Sequence, residues 1–247
     1  MKTYALVGKQ LDHSFSQRYF TQFFETTGRS DCRYLLAPTD TLVDLQKRVV
    51  AEQWQGFNVT IPYKQAILPM LHSMSDEAHA IGAVNCVVVD SQNRWIGYNT
   101  DAPAFRDTLS PLLKPYHRRA LVFGTGGASR AVTYVLKQLD IDFLLVSRNP
   151  HDDKQIAYTE VPSLLNDALL LVNCTPLGTA HSPFEGLSPL PSTLPLSSRH
   201  FCYDLVYNPS PTPFLLQATH HGATIQGGLP MLYRQAELSW EIWSGES

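Results

Sequence analysis

Along the first hundred residues, short runs of β-branched and aromatic residues alternate with stretches whose apolar positions recur every three or four residues. Residues 4–7, 33–36, 56–59 and 84–89 read as strands, bounded by Gly, Pro, Asn or Asp. Between them, Phe15, Tyr19 and Phe23 follow Ser14 and stop at Gly28, while Leu42, Leu45 and Val49 follow Asp40. Both spacings predict amphipathic helices, and the βαβ rhythm predicts a mixed or parallel sheet. Asp90-Ser91-Gln92-Asn93 predicts a hairpin turn, leading through residues 95–98 into Asn99-Thr100-Asp101, where a domain boundary is expected.

The second half starts the pattern again. A strand at 120–123, a glycine turn, a helix over about 127–139 and a strand at 143–146 make one βαβ unit. Apolar runs at 169–172 and 201–206 extend the sheet. The stretch 174–198 between them holds Pro176, Pro183, Pro189, Pro191 and Pro195 and reads as a loop beside a site. The last helix carries Leu232, Ala236, Trp240 and Trp243 on one face, a spacing suited to docking on a core.

Composition narrows the function classes. With 247 residues, 44% hydrophobic and 17% charged, the chain has ample material for a core, which excludes disorder and collagen-like fibres. The formal charge is -3, from 19 basic and 22 acidic side chains, so no summed positive field draws it to nucleic acid or anionic membranes. No apolar run reaches a membrane-spanning length, and residues 1–7 are too short for a signal peptide, so a cytoplasmic location is expected. Cys32, Cys86, Cys174 and Cys202 form no CxxC pair and read as buried free thiols. The nine histidines show no metal-ligand pairing, and His220-His221 read as a helix end, so no metal is expected.

Gly124-Thr125-Gly126-Gly127-Ala128-Ser129 follows a strand and opens a helix, the context in which backbone N–H groups cradle a pyrophosphate. The next strand ends at Ser147-Arg148, where an NAD-specific site would place an acid for the ribose 2'-hydroxyl. A guanidinium suits a 2'-phosphate instead, which points to NADP. In the first half, polar residues cluster where β-rich runs end: 13–16, 58–64, 82–85 and 99–101. Ser14 is also a good helix N-cap. Pro62 marks a first helical turn, so Lys64 faces the positive end of a helix dipole, and a carboxylate such as Asp101 would compensate. A Lys–Asp pair of this kind can pass a proton, as carbonyl reduction requires.

These segments also carry a resemblance. Gly8 to Ser16, Asn58 to Lys64, Ile81 to Asn85, Gly97 to Asp101 and Asp204 to Pro209, followed by Gly228 to Leu232 and Gln235-Ala236, are similar in order to the motifs of the shikimate dehydrogenase family. The resemblance runs nearly end to end. It implies an α/β fold of two domains: an N-terminal substrate domain with a mixed, mainly parallel sheet (1–101 plus 229–247) and a C-terminal Rossmann-type dinucleotide-binding domain (102–228). It implies that Ser14 and Ser16 hold a substrate carboxylate, that Thr60, Asn85, Asp101 and Gln235 bind ring hydroxyls, and that Lys64 and Asp101 are catalytic. Tyr207 would lie near the substrate, and Leu205 and Gly228 near the nicotinamide. Gly124, Thr125, Gly126, Gly127 and Ala128 would meet the pyrophosphate, and Ser147 and Arg148 the adenosine ribose, while His13 would order the serine loop.

The implied activity is NADPH-dependent reduction of 3-dehydroshikimate to shikimate in aromatic amino-acid biosynthesis, by a monomer or homodimer without metal. Two departures stand out. Ala102 and Ala104 replace family glycines, so the backbone after Asp101 is expected to run differently, and Asn149-Pro150 after Arg148 leaves fewer side chains for a 2'-phosphate. Rival readings are a quinate/shikimate dehydrogenase with dual or NAD preference, and a catalytically silent sensor of a cyclic acid or nucleotide.

Overall fold

The computed structural model describes residues 1–9, 11, 14–191, 194 and 196–245, so His13 lies outside the described residues. The chain divides into two compact units, Met1–Thr100 with Gln235–Ser247, and Asp101–Arg234. In the first half the elements run β1 (Lys2–Gly8), α1 (Phe15–Thr26), β2 (Cys32–Pro38), α2 (Leu42–Ala51), β3 (Trp54–Val59), α3 (Tyr63–Ala66), β4 (Ser73–Met74), α4 (Asp76–Ile81), β5 (Cys86–Val89) and β6 (Trp95–Tyr98). They continue with α5 (Asp101–Leu109), β7 (Arg119–Phe123), α6 (Gly127–Gln138), β8 (Asp142–Ser147), β9 (Gln155–Ala157), α7 (Val161–Leu164), β10 (Leu170–Asn173), β11 (Phe201–Asp204), α8 (Pro213–His220), β12 (Thr224–Gln226) and α9 (Leu229–Ser244).

The first unit is built on a six-stranded sheet in the order β2-β1-β3-β5-β6-β4. β1 pairs parallel with β2 and β3, the expected consequence of the α1 and α2 crossovers, whereas β5 runs antiparallel to β3 and β6. The β5–β6 hairpin closes as the Asp90 side chain predicts: its Oδ1 accepts from the backbone N of Gln92 and of Arg94, both at 2.8 Å, and Asn93 takes φ 58°. Strand alternation sends Ala5 and Val7 into one cluster with Leu45, Val49, Phe57 and Trp95, and Tyr4 and Leu6 into another with Phe20, Phe24, Tyr34 and Trp240. The predicted apolar face of the last helix thus docks through Ala236 and Trp240. Val84, expected as strand, instead donates its N to the Lys64 carbonyl at 2.8 Å; Asn85 already bonds the Tyr98 carbonyl and Val59 N at 3.1 and 2.9 Å, and β5 proper starts at Cys86.

In the second unit, six strands pair in parallel in the order β12-β11-β10-β7-β8-β9. Counted from β7, this is the 3-2-1-4-5-6 order of a doubly wound dinucleotide-binding sheet, with its switch point between β7 and β10. Leu121, Phe123, Val146, Leu171, Cys202 and Phe214 form its core. Ala102 and Ala104 are wholly buried in α5, where alanine favours the helix that a glycine would weaken. Phe105 packs edge-on against Tyr203 at 4.9 Å, and Thr108 Oγ1 meets the Tyr203 hydroxyl at 2.7 Å. The strand expected to run to residue 206 ends at Asp204, because the backbone N of Val206 turns back to the Asp204 side chain at 3.0 Å. Among the described residues of 174–198 there is no helix or strand.

Candidate functional site

Each unit carries its own polar array. In the first, Ser14 is the N-cap of α1, its Oγ accepting from Ser16 N at 3.3 Å. Ser16 is buried, and the Tyr34 hydroxyl donates to Asn58 Oδ1 at 2.8 Å. Asn58 Nδ2 reaches the Asn85 carbonyl at 3.2 Å and Ser239 Oγ at 2.9 Å. Asn85 clasps Thr100 with both ends of its amide: Oδ1 accepts from Thr100 N at 2.7 Å and Nδ2 donates to Thr100 Oγ1 at 2.9 Å. Ser239 completes the circuit, lying 3.3 Å from Thr100 Oγ1 and donating to the Gln235 carbonyl at 2.8 Å. One hydrogen-bonded network therefore links Tyr34, Asn58, Asn85, Thr100, Ser239 and the Gln235 carbonyl, and it pins the residue that precedes Asp101. Every member is uncharged, since burial pushes the Tyr34 phenol well above its ordinary range.

Thr60 is half-buried at the turn from β3 into α3, its N donating to the Val7 carbonyl at 2.8 Å and its carbonyl accepting from Tyr63 N at 2.9 Å. Half-buried Lys64 follows on α3. Here the structure corrects an expectation: Pro62 is the N-cap, and α3 has only four residues. A macrodipole is the sum of many aligned peptides, so a single turn supplies little of the field expected at the Lys64 ammonium.

In the second unit, Gly124 follows β7 at φ 100°, a conformation that favours glycine, and its N donates to the Val146 carbonyl at 3.0 Å. Thr125 and Gly126 are exposed, and Gly126 N-caps the 12-residue α6 with no side chain of its own. A Cβ at Gly126 would meet no atom within 4 Å. Backbone N–H groups of an uncapped first turn, open space above the glycine and the positive end of a helix together fit a dinucleotide's phosphates. Ser129 takes the third glycine position facing inward, buried, with its Oγ donating to the Gly126 carbonyl at 2.7 Å. Ser147 closes β8, its Oγ accepting from Asn149 N at 3.2 Å, and Arg148 stands exposed beyond it.

On the other side of the switch point, Gly228 packs so tightly on Leu205 that any Cβ would overlap the Leu205 carbonyl. Tyr207 is half-buried two residues further along. Beneath them lies Asp204, fully buried, with Oδ1 accepting from Asn173 Nδ2 at 2.9 Å and Val206 N at 3.0 Å, and Oδ2 accepting from Thr212 Oγ1 at 2.6 Å. Burial pushes the Asp204 carboxyl up to about 6 against the pull of these three donors. The nearby Cys174 and Cys202 thiols and the Tyr203 phenol are pushed up by burial as well and stay neutral.

The residue types alone leave Tyr34, Ser239, Asn173 and Thr212 without a role. One signal was present in the sequence: Thr212-Pro213 is an N-cap followed by a first-turn proline, and it starts α8. All four cysteines are free; Cys86 and Cys202 are buried as expected, whereas Cys32 and Cys174 are half-buried. Among the described residues, no group of three or more His, Cys, Asp and Glu could hold a metal, and no helix is long and apolar enough to cross a membrane.

Sheet order and glycine turn define an α/β protein with a dinucleotide-binding unit, joined in sequence to a second α/β unit that carries an uncharged amide–hydroxyl network. Comparison with known proteins makes this specific. Residues 6–87 match the signature of the shikimate dehydrogenase substrate binding domain. The chain is 35% identical to the shikimate dehydrogenase (NADP(+)) of Chlorobaculum tepidum, over 99% of this chain and 91% of that protein. Among solved structures, it resembles shikimate dehydrogenase 1 from Peptoclostridium difficile with TM-score 0.87 and 30% identity, covering 100% of this chain and 93% of the other. It also resembles shikimate 5-dehydrogenase from Thermus thermophilus in complex with NADP(H) and shikimate, with TM-score 0.84, 33% identity and coverage of 99% and 94%. The chain belongs to the shikimate dehydrogenase family.

Proposed function

We propose that this chain catalyses the reversible NADP-dependent reduction of 3-dehydroshikimate to shikimate, a step of aromatic amino-acid biosynthesis, in the cytoplasm. The observation that carries the reading is the uncapped glycine turn at the head of a doubly wound sheet, on a chain whose other unit matches the family's substrate binding domain. When bound, NADPH supplies the hydride that reaches the ring carbonyl carbon. The remaining tasks belong to the chain's own residues.

Ser14 and Ser16 hold the substrate carboxylate with hydroxyls that bear no competing charge. Thr60, Asn85, Asp101 and Gln235 take the ring hydroxyls, with Tyr207 close to the substrate. Lys64 and Asp101 give the proton to the nascent hydroxyl oxygen and take it back in the reverse direction. Gly124, Thr125, Gly126, Gly127 and Ala128 receive the pyrophosphate, Ser147 and Arg148 the adenosine 2'-phosphate and ribose, and Leu205 and Gly228 the nicotinamide. No metal takes part.

Absorbance at the nicotinamide band, with shikimate or quinate and NADP or NAD in all four combinations, tests this directly. Rapid reduction of NADP with shikimate is expected. A preference for quinate or NAD would move the specificity, and binding without turnover in any combination would replace the enzyme with a sensor.

A further inference from the structure

We propose that Asp204 is a positioning residue: it holds the loops after β10 and β11 in the shape that the nicotinamide half of the dinucleotide requires. This rests on the function proposed above. Three features carry it.

The first is the donor set. All three groups facing the carboxylate are hydrogen donors, namely Asn173 Nδ2, Val206 N and Thr212 Oγ1. An ionised carboxylate accepts from all three at once; an amide in its place could keep its oxygen for Asn173 and Val206 but would present N–H to Thr212 Oγ1, so that hydroxyl would have to turn from donor to acceptor and the charge assistance would be lost. An ion placed in a fully buried position is costly and is retained only where its partners are well arranged.

The second is what those donors fix. Asn173 Oδ1 accepts from Thr175 N at 3.0 Å and Thr175 Oγ1 at 2.6 Å, and its Nδ2 also reaches the Leu177 carbonyl at 3.3 Å. Leu205 N donates to the Asn173 carbonyl at 3.0 Å, and Ala180 N donates to the Asn208 carbonyl at 2.9 Å, so the two loops are tied to each other. Thr212 N-caps α8 with the same oxygen it gives to Asp204. Asp204 therefore sits at the root of the segment that carries Leu205 and Tyr207 and supports Gly228.

The third is location. A doubly wound sheet binds its ligand outside the carboxyl ends of the strands, one mononucleotide to each half. The glycine turn, Ser147 and Arg148 belong to β7 and β8, and none of the hydrogen bonds of the Asp204 carboxylate reaches them. The consequence is a selective one: loss of the carboxylate weakens one half of the dinucleotide and spares the other.

Calorimetric titration of the full chain with NADP+ and, separately, with adenosine 2',5'-bisphosphate distinguishes the halves without relying on turnover. Asp204→Asn and Thr212→Val are each expected to weaken NADP+ binding about tenfold, the equivalent of one lost charge-assisted hydrogen bond, while changing the bisphosphate by less than about twofold. Thr212→Ser, which keeps the hydroxyl, is expected to bind both as the unsubstituted chain does. Unchanged NADP+ affinity in Thr212→Val overturns the proposal, as does an equal loss of both ligands, which would mean that the carboxylate merely holds the unit folded. If Asp204→Asn does not fold, the Thr212→Val and Thr212→Ser pair decides alone. An unsubstituted chain that binds neither ligand would instead sink the dinucleotide reading itself.

Discussion

The two units solve the same problem with opposite chemistry. Each must fasten irregular backbone at the ends of its strands, where the candidate residues lie. The first does so with neutral groups only, Tyr34, Asn58, Asn85, Thr100 and Ser239, whose donors and acceptors close on one another. The second gathers three donors around a single buried carboxylate, Asp204. A neutral network keeps its geometry across the pH range, and its cost falls on any residue that leaves a partner unsatisfied. A charged hub binds its donors more strongly but pays desolvation at every pH where it is ionised. The sensitivity of the first unit is thus to truncation, and that of the second is to pH as well.

The sharpest way to break this comparison is Asn58→Leu. It removes the acceptor of the Tyr34 hydroxyl in a dry interior, takes one donor from Ser239 Oγ and is expected to cost about 3 kcal/mol, with little pH dependence, as read by denaturant unfolding. A loss of less than about 1 kcal/mol would mean that the network is ornamental to stability.

Next in size is Lys64→Ala. Turnover is expected to fall about a hundredfold or more, with substrate affinity largely kept, because the residue acts on a proton in the transition state. A near-normal rate would take Lys64 out of the mechanism.

The pH contrast comes third. The folded-state value of about 6 for Asp204 lies above the ordinary 3.8, so the native state holds this proton more tightly than the unfolded chain. Its stabilising contribution is full below about pH 4, is lost as pH rises to about 6, and is constant beyond. Relative to Asp204→Asn, the unsubstituted chain should therefore lose about 3 kcal/mol in all as pH rises from below about 4 through about 6, measured as unfolding free energy against pH. Parallel profiles would remove the charged hub from the account.

The smallest effect expected is that of Arg148→Ala. It should raise the Michaelis constant for NADP about tenfold and leave NAD untouched, the size of one exposed charge-assisted contact. If both cofactors respond alike, Arg148 does not hold the 2'-phosphate.

Much of this architecture is legible along the chain, because it is local. Strand runs, helical spacing and the glycine turn report backbone propensities that act over a few residues, and β1, α1, α2, β3, β7, α6 and β8 lie where those patterns place them. Short elements such as β4, β9 and α7 escape, being two to four residues long and specified by pairing with distant strands instead of by their own periodicity. The overlong strands at 84–89 and 201–206 fail for a related reason. Their apolar residues satisfy the β pattern, but side-chain and backbone partners from elsewhere turn the chain first.

The sequence by itself determined the class of fold, the order of the motifs and the residue types brought to the chemistry. Only the tertiary structure decided which of them are joined. Tyr34 and Asn58 are 24 positions apart, and Asn58 and Ser239 are 181 apart, yet they share one buried hydrogen-bonded circuit. Nor does any local pattern mark Asp204 as the acceptor for Asn173, Val206 and Thr212. Propensity acts between neighbours in the chain, whereas burial acts between neighbours in space. A polar side chain acquires its role only when folding removes water and leaves a particular set of partners in its place.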